Sequence, residues 1–282
     1  MPHAQLGMTA AQALILGITE GVTEYLPVSS TGHLYLVQRL IGVGNSATAR
    51  EAADSYVIAV QIGAILAVLW LYWSRVREVA QGALGRNKRG RVLACNLTAA
   101  FVPAAAIGII LESVIKEHLF GLWPITAAWL LGGIAILSVS RSAPGQDKGF
   151  GIESLSLKQS LIIGIAQCIA MWPGLSRSLV TIVAGRMVGL SIRAAVEFSF
   201  LLGLITLGGA TTYEIAKEGP KILAAFGWAS PLVGLLTAFV SAIIAVKWMV
   251  AYLNRHGLAV FGYYRVALAM FAFGLLAAGV VR

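Results

Sequence analysis

The sequence predicts an all-α polytopic membrane protein, with six transmembrane helices and two re-entrant helix-loop-helix elements in two inverted-topology repeats. Three observations carry this expectation: composition, an internal repeat, and the sidedness of the basic residues. Of 282 residues, 58% are hydrophobic and 12% are charged, and the mean hydropathy is +0.82. Soluble domains carry about 25% charge and about 45–50% apolar residues, so a water-soluble enzyme or scaffold is excluded.

Taken in order, the chain opens near Met8 with an apolar segment. Thr9 is its helix start, Pro27 and a Ser-rich turn break it, and a second short apolar stretch follows. Glu20 and Glu24 stand where a cleavable leader has a pure apolar core, so the segment is read as retained. Apolar runs follow at 55–73, 92–111 and 123–140. Ser156 then starts a second interrupted segment, broken at Pro173, and further runs occupy 194–213, 231–252 and 264–281. Each uninterrupted run is near the roughly 20 residues a helix needs to cross the hydrocarbon. Cys95 and Cys168 lie in apolar stretches without metal-ligand spacing, so neither a disulfide framework nor a zinc site is indicated.

Residues 8–31 align without a gap on residues 155–178, with identities at Gln12/Gln159, Leu14/Leu161, Ile15/Ile162, Gly17/Gly164, Ile18/Ile165 and Ser29/Ser176. Shared polar and glycine positions favour duplication over the chance likeness of two apolar segments. Repeat one is then 8–140 and repeat two 155–281, within a single integral-membrane domain. Three crossings after each interrupted segment place the second copy on the opposite side, so the repeats are inverted. The net charge of +9 fits that arrangement better than a nucleic-acid face. Arg75, Arg77, Arg86, Lys88, Arg89, Arg91, Arg141, Lys148, Lys158, Arg255 and Arg265 fall on one side, and only Arg50, Lys116, Lys217 and Lys221 on the other. The 74–91, 141–158 and 253–265 loops are therefore expected in the cytoplasm, and the 42–53, 112–122 and 214–230 loops outside.

Two Pro-broken segments at matching places in inverted halves are expected to meet at the midplane and combine residues 20–33 with 173–181. Glu20 and Glu24, four apart, share a helix face. Placed in the headgroup region they would be unremarkable; within a buried broken helix they call for a metal ion, a shared proton or a cation. In "PVSSTGH", Ser29, Ser30, Thr31 and His33 follow, though hydroxyls and a lone histidine can equally satisfy packing. "PGLSRSLVT" supplies Arg177 between Ser176 and Ser178, with Thr181 one turn on, at the start of a short helix. Such a set suits a phosphoryl group, while Arg177 could also form a structural ion pair with Glu20 or Glu24.

"EGVTEYLPVSSTGH" and "PGLSRSLVTIVAGRMVGLS…EFSFLLG" resemble the two signature regions of the bacterial undecaprenyl-pyrophosphate phosphatase family, also called the bacitracin-resistance protein family, nearly end to end. The resemblance implies Glu20 and Glu24 as ligands of a divalent cation (Mg²⁺ or Ca²⁺) or proton carriers, Ser30 and His33 in the reacting centre, and Arg177 on the pyrophosphate. Ser29, Thr31, Ser176, Ser178 and Thr181 would line the site, and Gln61 in "VQIGAILAV" matches a polar residue the family keeps. It implies hydrolysis of undecaprenyl pyrophosphate to undecaprenyl phosphate, recycling a carrier lipid for cell-wall (peptidoglycan) synthesis and conferring bacitracin resistance. The setting is the bacterial inner membrane, with the site open to the periplasm. Membrane lipids and the lipid substrate are the partners, nucleic acid is not, and a homodimer is left open.

Either Ser30 attacks with His33 as base, the favoured route, or His33 is itself the nucleophile. Three positions depart from the family pattern: Leu179 replaces a glycine, Val57 an acidic residue and Ile205 a proline. Asp54, one turn from Val57, is a candidate to reach the same region. The rival class is a transporter or flippase of a prenyl-phosphate lipid, since inverted repeats with broken helices also describe carriers.

Overall fold

The computed structural model describes residues 8–43, 47–140 and 149–281 of the chain. Among these, eleven α-helices succeed one another, with an isolated bridge between Phe150 and Leu190. They are α1 Ala10–Thr23, α2 Ser30–Leu40, α3 Ala47–Leu71, α4 Trp73–Ala83, α5 Lys88–His118, α6 Leu122–Val139, α7 Leu157–Gln167, α8 Arg177–Met187, α9 Ile192–Phe226, α10 Ala229–His256 and α11 Ala259–Ala277. By length and composition, α5, α6, α9, α10 and α11 can each cross a membrane. The pair α3–α4, bent by 83° at Tyr72, brings the number to six if it counts as one span.

The two aligned segments fold alike. Thr9 caps α1 and Ser156 caps α7 through the same capping box, with Gln12 and Gln159 at its third position. The Gln12 amide then donates to the Ile41 carbonyl at 3.0 Å, and the Gln159 amide to the Val188 carbonyl at 2.9 Å. Each thus ties the start of its broken helix to the end of the next. Ser29 and Ser176, at φ 74° and 72°, are the two non-glycine residues among those described with left-handed backbone. That conformation costs about 1–3 kcal/mol and is retained only where the surroundings enforce it.

Each broken helix packs against a long helix of the other half. On α1, Gly17 and Gly21 let the helix close onto α10; an added Cβ at Gly17 would stand 2.5 Å from the Gly234 carbonyl. On α7, Gly164 lies the same way against α5, 2.4 Å from the Ala100 carbonyl by that measure. Small residues at crossing points are how membrane helices gain contact, since lipid is as apolar as leucine and supplies no hydrophobic drive between them. Tyr25, Phe198, Phe200, Ile163 and Ile182 fill the main core between the two broken segments.

Several expected boundaries shift. The 214–230 stretch is largely helix, because α9 runs on to Phe226, and α5 likewise runs through much of 112–122. In 74–91 only the residues between Ala83 and Lys88 are non-helical; α4 carries the part before them as an amphipathic helix with one buried residue, Gly82, and α5 begins at Lys88. The last span begins at Ala259 rather than 264, so Arg265 is no loop cation but a fully buried residue of α11. Arg141 and Lys148 lie outside the described residues, as do the side chains of Arg50, Asp54, Lys116 and Lys221.

Candidate active site

A broken helix frees backbone carbonyls at membrane depth, where each must find a donor. Three side chains from other elements meet them here. Ser178 donates to the Leu26 carbonyl at 3.0 Å, Arg265 to Pro27 at 3.4 Å and the Trp129 indole to Val28 at 3.2 Å. Arg265 also donates to Ala128 at 2.9 Å and to Gly174 at 2.7 Å. One guanidinium therefore pins both turns together. Gly132 leaves room for it: a Cβ there would stand 2.2 Å from Arg265 Nη2.

On this frame Glu20 is fully buried and Glu24 nearly so. The Ser30 hydroxyl donates a short hydrogen bond to Glu24 Oε2, and Arg177 Nη2 faces Glu24 Oε1 at 3.5 Å. Arg177 is held by Nη1 on the Ser199 carbonyl at 2.8 Å and by its place over the Tyr25 ring, 5.6 Å from the centroid. Tyr25 in turn meets Phe200 edge to face. Residues 24, 30 and 177, from both halves, thus form one contact chain.

His33 sits apart from Ser30's hydrogen bond. Its Nδ1 contacts the Ser29 carbonyl at 2.7 Å, and its Nε2 the Tyr264 hydroxyl at 2.7 Å. The expected Ser30–His33 pair is replaced by Ser30–Glu24, because the first turn of α2 directs the serine back toward α1 and the histidine toward α11. The other candidates divide. Ser176 caps α8, and its hydroxyl meets that of Ser178 at 3.0 Å. Thr181 donates to the Arg177 carbonyl at 2.8 Å and meets Ser199 Oγ at 2.7 Å, so Ser178 and Thr181 serve the frame. Ser29 makes no side-chain cap for α2, and Thr31 is half-buried in its first turn. Gln61 accepts from Thr211 on α9 at 3.2 Å; no hydrogen bond among the described residues ties it to the carboxylates.

Leu179, expected in a constrained loop, is a buried core residue in the first turn of α8. Val57 is half-buried beside the core cluster around Tyr56, and Ile205 lies on α9 with 36% of its surface exposed. Sequence reasoning missed Tyr25, Tyr264 and Arg265. Only Arg265 left a usable signal, a lone cation in an apolar run.

Chemically, two carboxylates offer hard oxygen donors, and both Glu20 oxygens are buried without a hydrogen-bond partner. No group of three or more His, Cys, Asp or Glu side chains is gathered among the described residues. The donor set fits a divalent cation that completes its shell with phosphate oxygens and water, as Mg²⁺ commonly does.

The family model described as "Bacitracin resistance protein BacA" matches residues 13–271. A protein of Sorangium cellulosum named "Undecaprenyl-diphosphatase" is 43% identical over 260 residues, covering 91% of this chain and 83% of its own. Proteins of the same name from Verminephrobacter eiseniae and Cereibacter sphaeroides are 37% and 40% identical, covering 92% and 97% of this chain and 92% and 99% of their own. With its apolar helices and a match spanning nearly its whole length, the chain is a multi-pass membrane protein that belongs to the bacitracin resistance protein BacA family.

Proposed function

We propose that the protein hydrolyses undecaprenyl pyrophosphate to undecaprenyl phosphate and inorganic phosphate, recycling the carrier lipid of cell-wall synthesis and so conferring bacitracin resistance. The observation that carries this reading is a concentration of buried, unpaired polar atoms around one serine. Glu20 Oε1 and Oε2, Tyr25 Oη and Arg177 Nε lack hydrogen-bond partners, and Arg177 Nη2 has only its 3.5 Å ion contact with Glu24, beside a Ser30 already bonded to a carboxylate. Unsatisfied buried polar groups are costly, and a set of both signs at one place supports a polar ligand there. A pyrophosphate supplies acceptors for Arg177 and for the uncapped N–H groups at the start of α2, where the helix dipole favours an anion.

Ser30 Oγ attacks the terminal phosphorus and passes its proton to Glu24 Oε2. The bond from that phosphorus to the bridging oxygen breaks, and undecaprenyl phosphate leaves with the electron pair. Water then displaces phosphate from Ser30, its proton reaching His33 Nε2 by way of the Tyr264 hydroxyl that occupies that nitrogen, and Glu24 returns its proton to the serine oxygen. Arg177 holds the phosphoryl oxygens as charge develops on them. A divalent cation on Glu20 and Glu24, when bound, would add Lewis-acid neutralisation of that charge. The competing route, attack by His33, predicts an acid-labile phosphohistidine instead of an acid-stable phosphoserine.

The same reading makes 8–140 and 155–281 two inverted repeats, with six spans and two re-entrant elements. It sets the chain in the bacterial inner membrane with the site open to the periplasm. The matched capping boxes, left-handed serines and glutamine ties support the repeats; Arg75, Arg77, Arg86, Lys88, Arg89 and Arg91 around one end support the orientation. The test uses purified protein in detergent, undecaprenyl pyrophosphate and Mg²⁺ or Ca²⁺, with phosphate release measured for the wild type and for Glu24→Ala, Ser30→Ala and Arg177→Ala. Release by the wild type, abolished in the variants, is expected. A wild type that releases none, while reconstituted vesicles move the lipid across the bilayer, replaces this reading with the flippase.

A further inference from the structure

His33 has one ring nitrogen left for chemistry. A carbonyl can only accept, so the contact of Nδ1 with the Ser29 carbonyl at 2.7 Å fixes the proton on Nδ1 and leaves Nε2 as the reacting nitrogen. Nε2 does not face open space or the carboxylates; it meets the Tyr264 hydroxyl at 2.7 Å, with the two rings parallel to within 4°. Trp129 closes another side of the imidazole edge to face, with ring centroids 5.3 Å apart. Arg265, next to Tyr264 on α11, is the cation that bears on the ring. His33 is buried, but Tyr264 keeps 45% of its surface exposed, so it lies at the border of the site.

We propose that Tyr264 is a positioning residue that orients His33 and holds Nε2 ready for both of its protonation states. When the imidazole is neutral, the phenol O–H donates to the Nε2 lone pair. When the phenol passes that proton to Nε2 and takes one from water in its place, the same phenol oxygen accepts from Nε2–H, with no side chain moving. A group that can reverse its hydrogen bond in place lets His33 take up and release a proton while its ring stays fixed. The fold supports the placement, because Arg265, the residue that follows Tyr264, anchors α11 to both breaks. The inference rests on the reading that His33 belongs to the reacting centre.

The test compares wild type with Tyr264→Phe, which keeps the ring and removes the hydroxyl, and with Tyr264→Ala. Phosphate release from undecaprenyl pyrophosphate is followed across pH, and the protein, which has four histidines, is labelled with ¹⁵N-histidine, His33→Ala serving to assign the His33 signals. Tyr264→Phe is expected to lower kcat about tenfold, with KM unchanged within about twofold, to displace the acidic limb of the pH–rate profile, and to move the His33 Nε2 resonance. A Tyr264→Phe enzyme with wild-type kcat, pH profile and Nε2 resonance overturns the proposal. If the wild type releases no phosphate, the phosphatase reading fails, and the resonance alone then decides: its shift in Tyr264→Phe supports the placement of Tyr264, and its constancy refutes it.

Discussion

The Ser30–Glu24 contact makes a prediction sharp enough to test as a cycle. Glu24 serves two groups, accepting from the Ser30 hydroxyl through Oε2 and facing Arg177 through Oε1 at 3.5 Å, with side-chain exposures of 5% for Glu24 and 12% for Arg177. Glu24→Gln preserves shape, removes the base and removes the negative charge. Loss of a positioned base costs about 10²–10⁴-fold in rate, or about 3–5 kcal/mol of barrier. The charge matters separately: two unit charges at that separation attract by about 5 kcal/mol at an effective dielectric of about 20, before their desolvation is counted. Removing it frees Arg177 for the substrate, so KM should hold steady or fall while kcat collapses. Ser30→Ala should lose at least as much kcat as Glu24→Gln, and the double variant no more than the worse single, because a base without its nucleophile has nothing left to contribute. The assay is steady-state phosphate release from undecaprenyl pyrophosphate in detergent. Two independent, multiplying losses, or a Ser30→Ala enzyme keeping more than about a tenth of wild-type kcat, would refute the assignment of Glu24 as the base of Ser30.

Gly132→Ala places a Cβ 2.2 Å from Arg265 Nη2 and forces the guanidinium off its carbonyls; breaking a buried charged contact of this kind costs about 3–5 kcal/mol, to be read as a lowered apparent melting temperature in detergent. Leu179→Gly, which restores the residue expected from the family pattern, should destabilise by about 3–5 kcal/mol rather than raise activity, since it empties a core position 3% exposed and puts glycine in a helix. Arg75 meets Glu78 at 3.0 Å, Glu153 at 2.7 Å and Glu197 at 2.5 Å. A hydrogen bond within its own residue, and then Arg75, hold the Glu153 carboxyl below its ordinary range. Its contribution is thus whole above the unfolded carboxylate value of about 4.3 and lost as pH falls further. The small thermal margin of wild type over Glu153→Gln should be constant from pH 7 to about 5 and shrink below that.

The broken helices were legible because their signals are local. Thr9 with Gln12, Ser156 with Gln159, and the prolines and serines after them act within a few residues, and aligning the two copies needed only the order of residues. That Glu24, Ser30 and Arg177 come together was legible for a related reason: charge and hydroxyls are costly in an apolar run, so they gather where they can meet one another. What partners what was not legible. Ser30 turns to Glu24 rather than His33 because of the left-handed backbone at Ser29, and nothing in a serine's identity announces a positive φ. Tyr264 and Arg265 come from more than two hundred residues downstream, so their meeting with His33 and Pro27 is a product of packing alone. The boundary errors at α5 and α9 share a cause: hydropathy marks the apolar part of a helix, and both continue past it with polar residues.

The freed backbone of the break and the side chains beside it make different demands. A break in a membrane helix could be healed by the ligand itself, its phosphate oxygens and hydroxyls serving the freed backbone. Here the freed carbonyls at Leu26, Pro27 and Val28 are already served by Ser178, Arg265 and Trp129. Side-chain atoms without a hydrogen-bond partner include those of Glu20, Tyr25 and Arg177 beside Ser30, and also those of Gln167 and Nε of Arg265. Orphaned carbonyls would demand hydrogen-bond donors, and a turn held by its substrate would loosen whenever the substrate left. Orphaned carboxylate and guanidinium atoms ask for charge, which a metal-bound pyrophosphate carries in both signs. A turn held by three protein donors keeps Ser30 and Glu24 in register between turnovers, so binding energy can go to the transferring phosphoryl group rather than to building the loop that grips it.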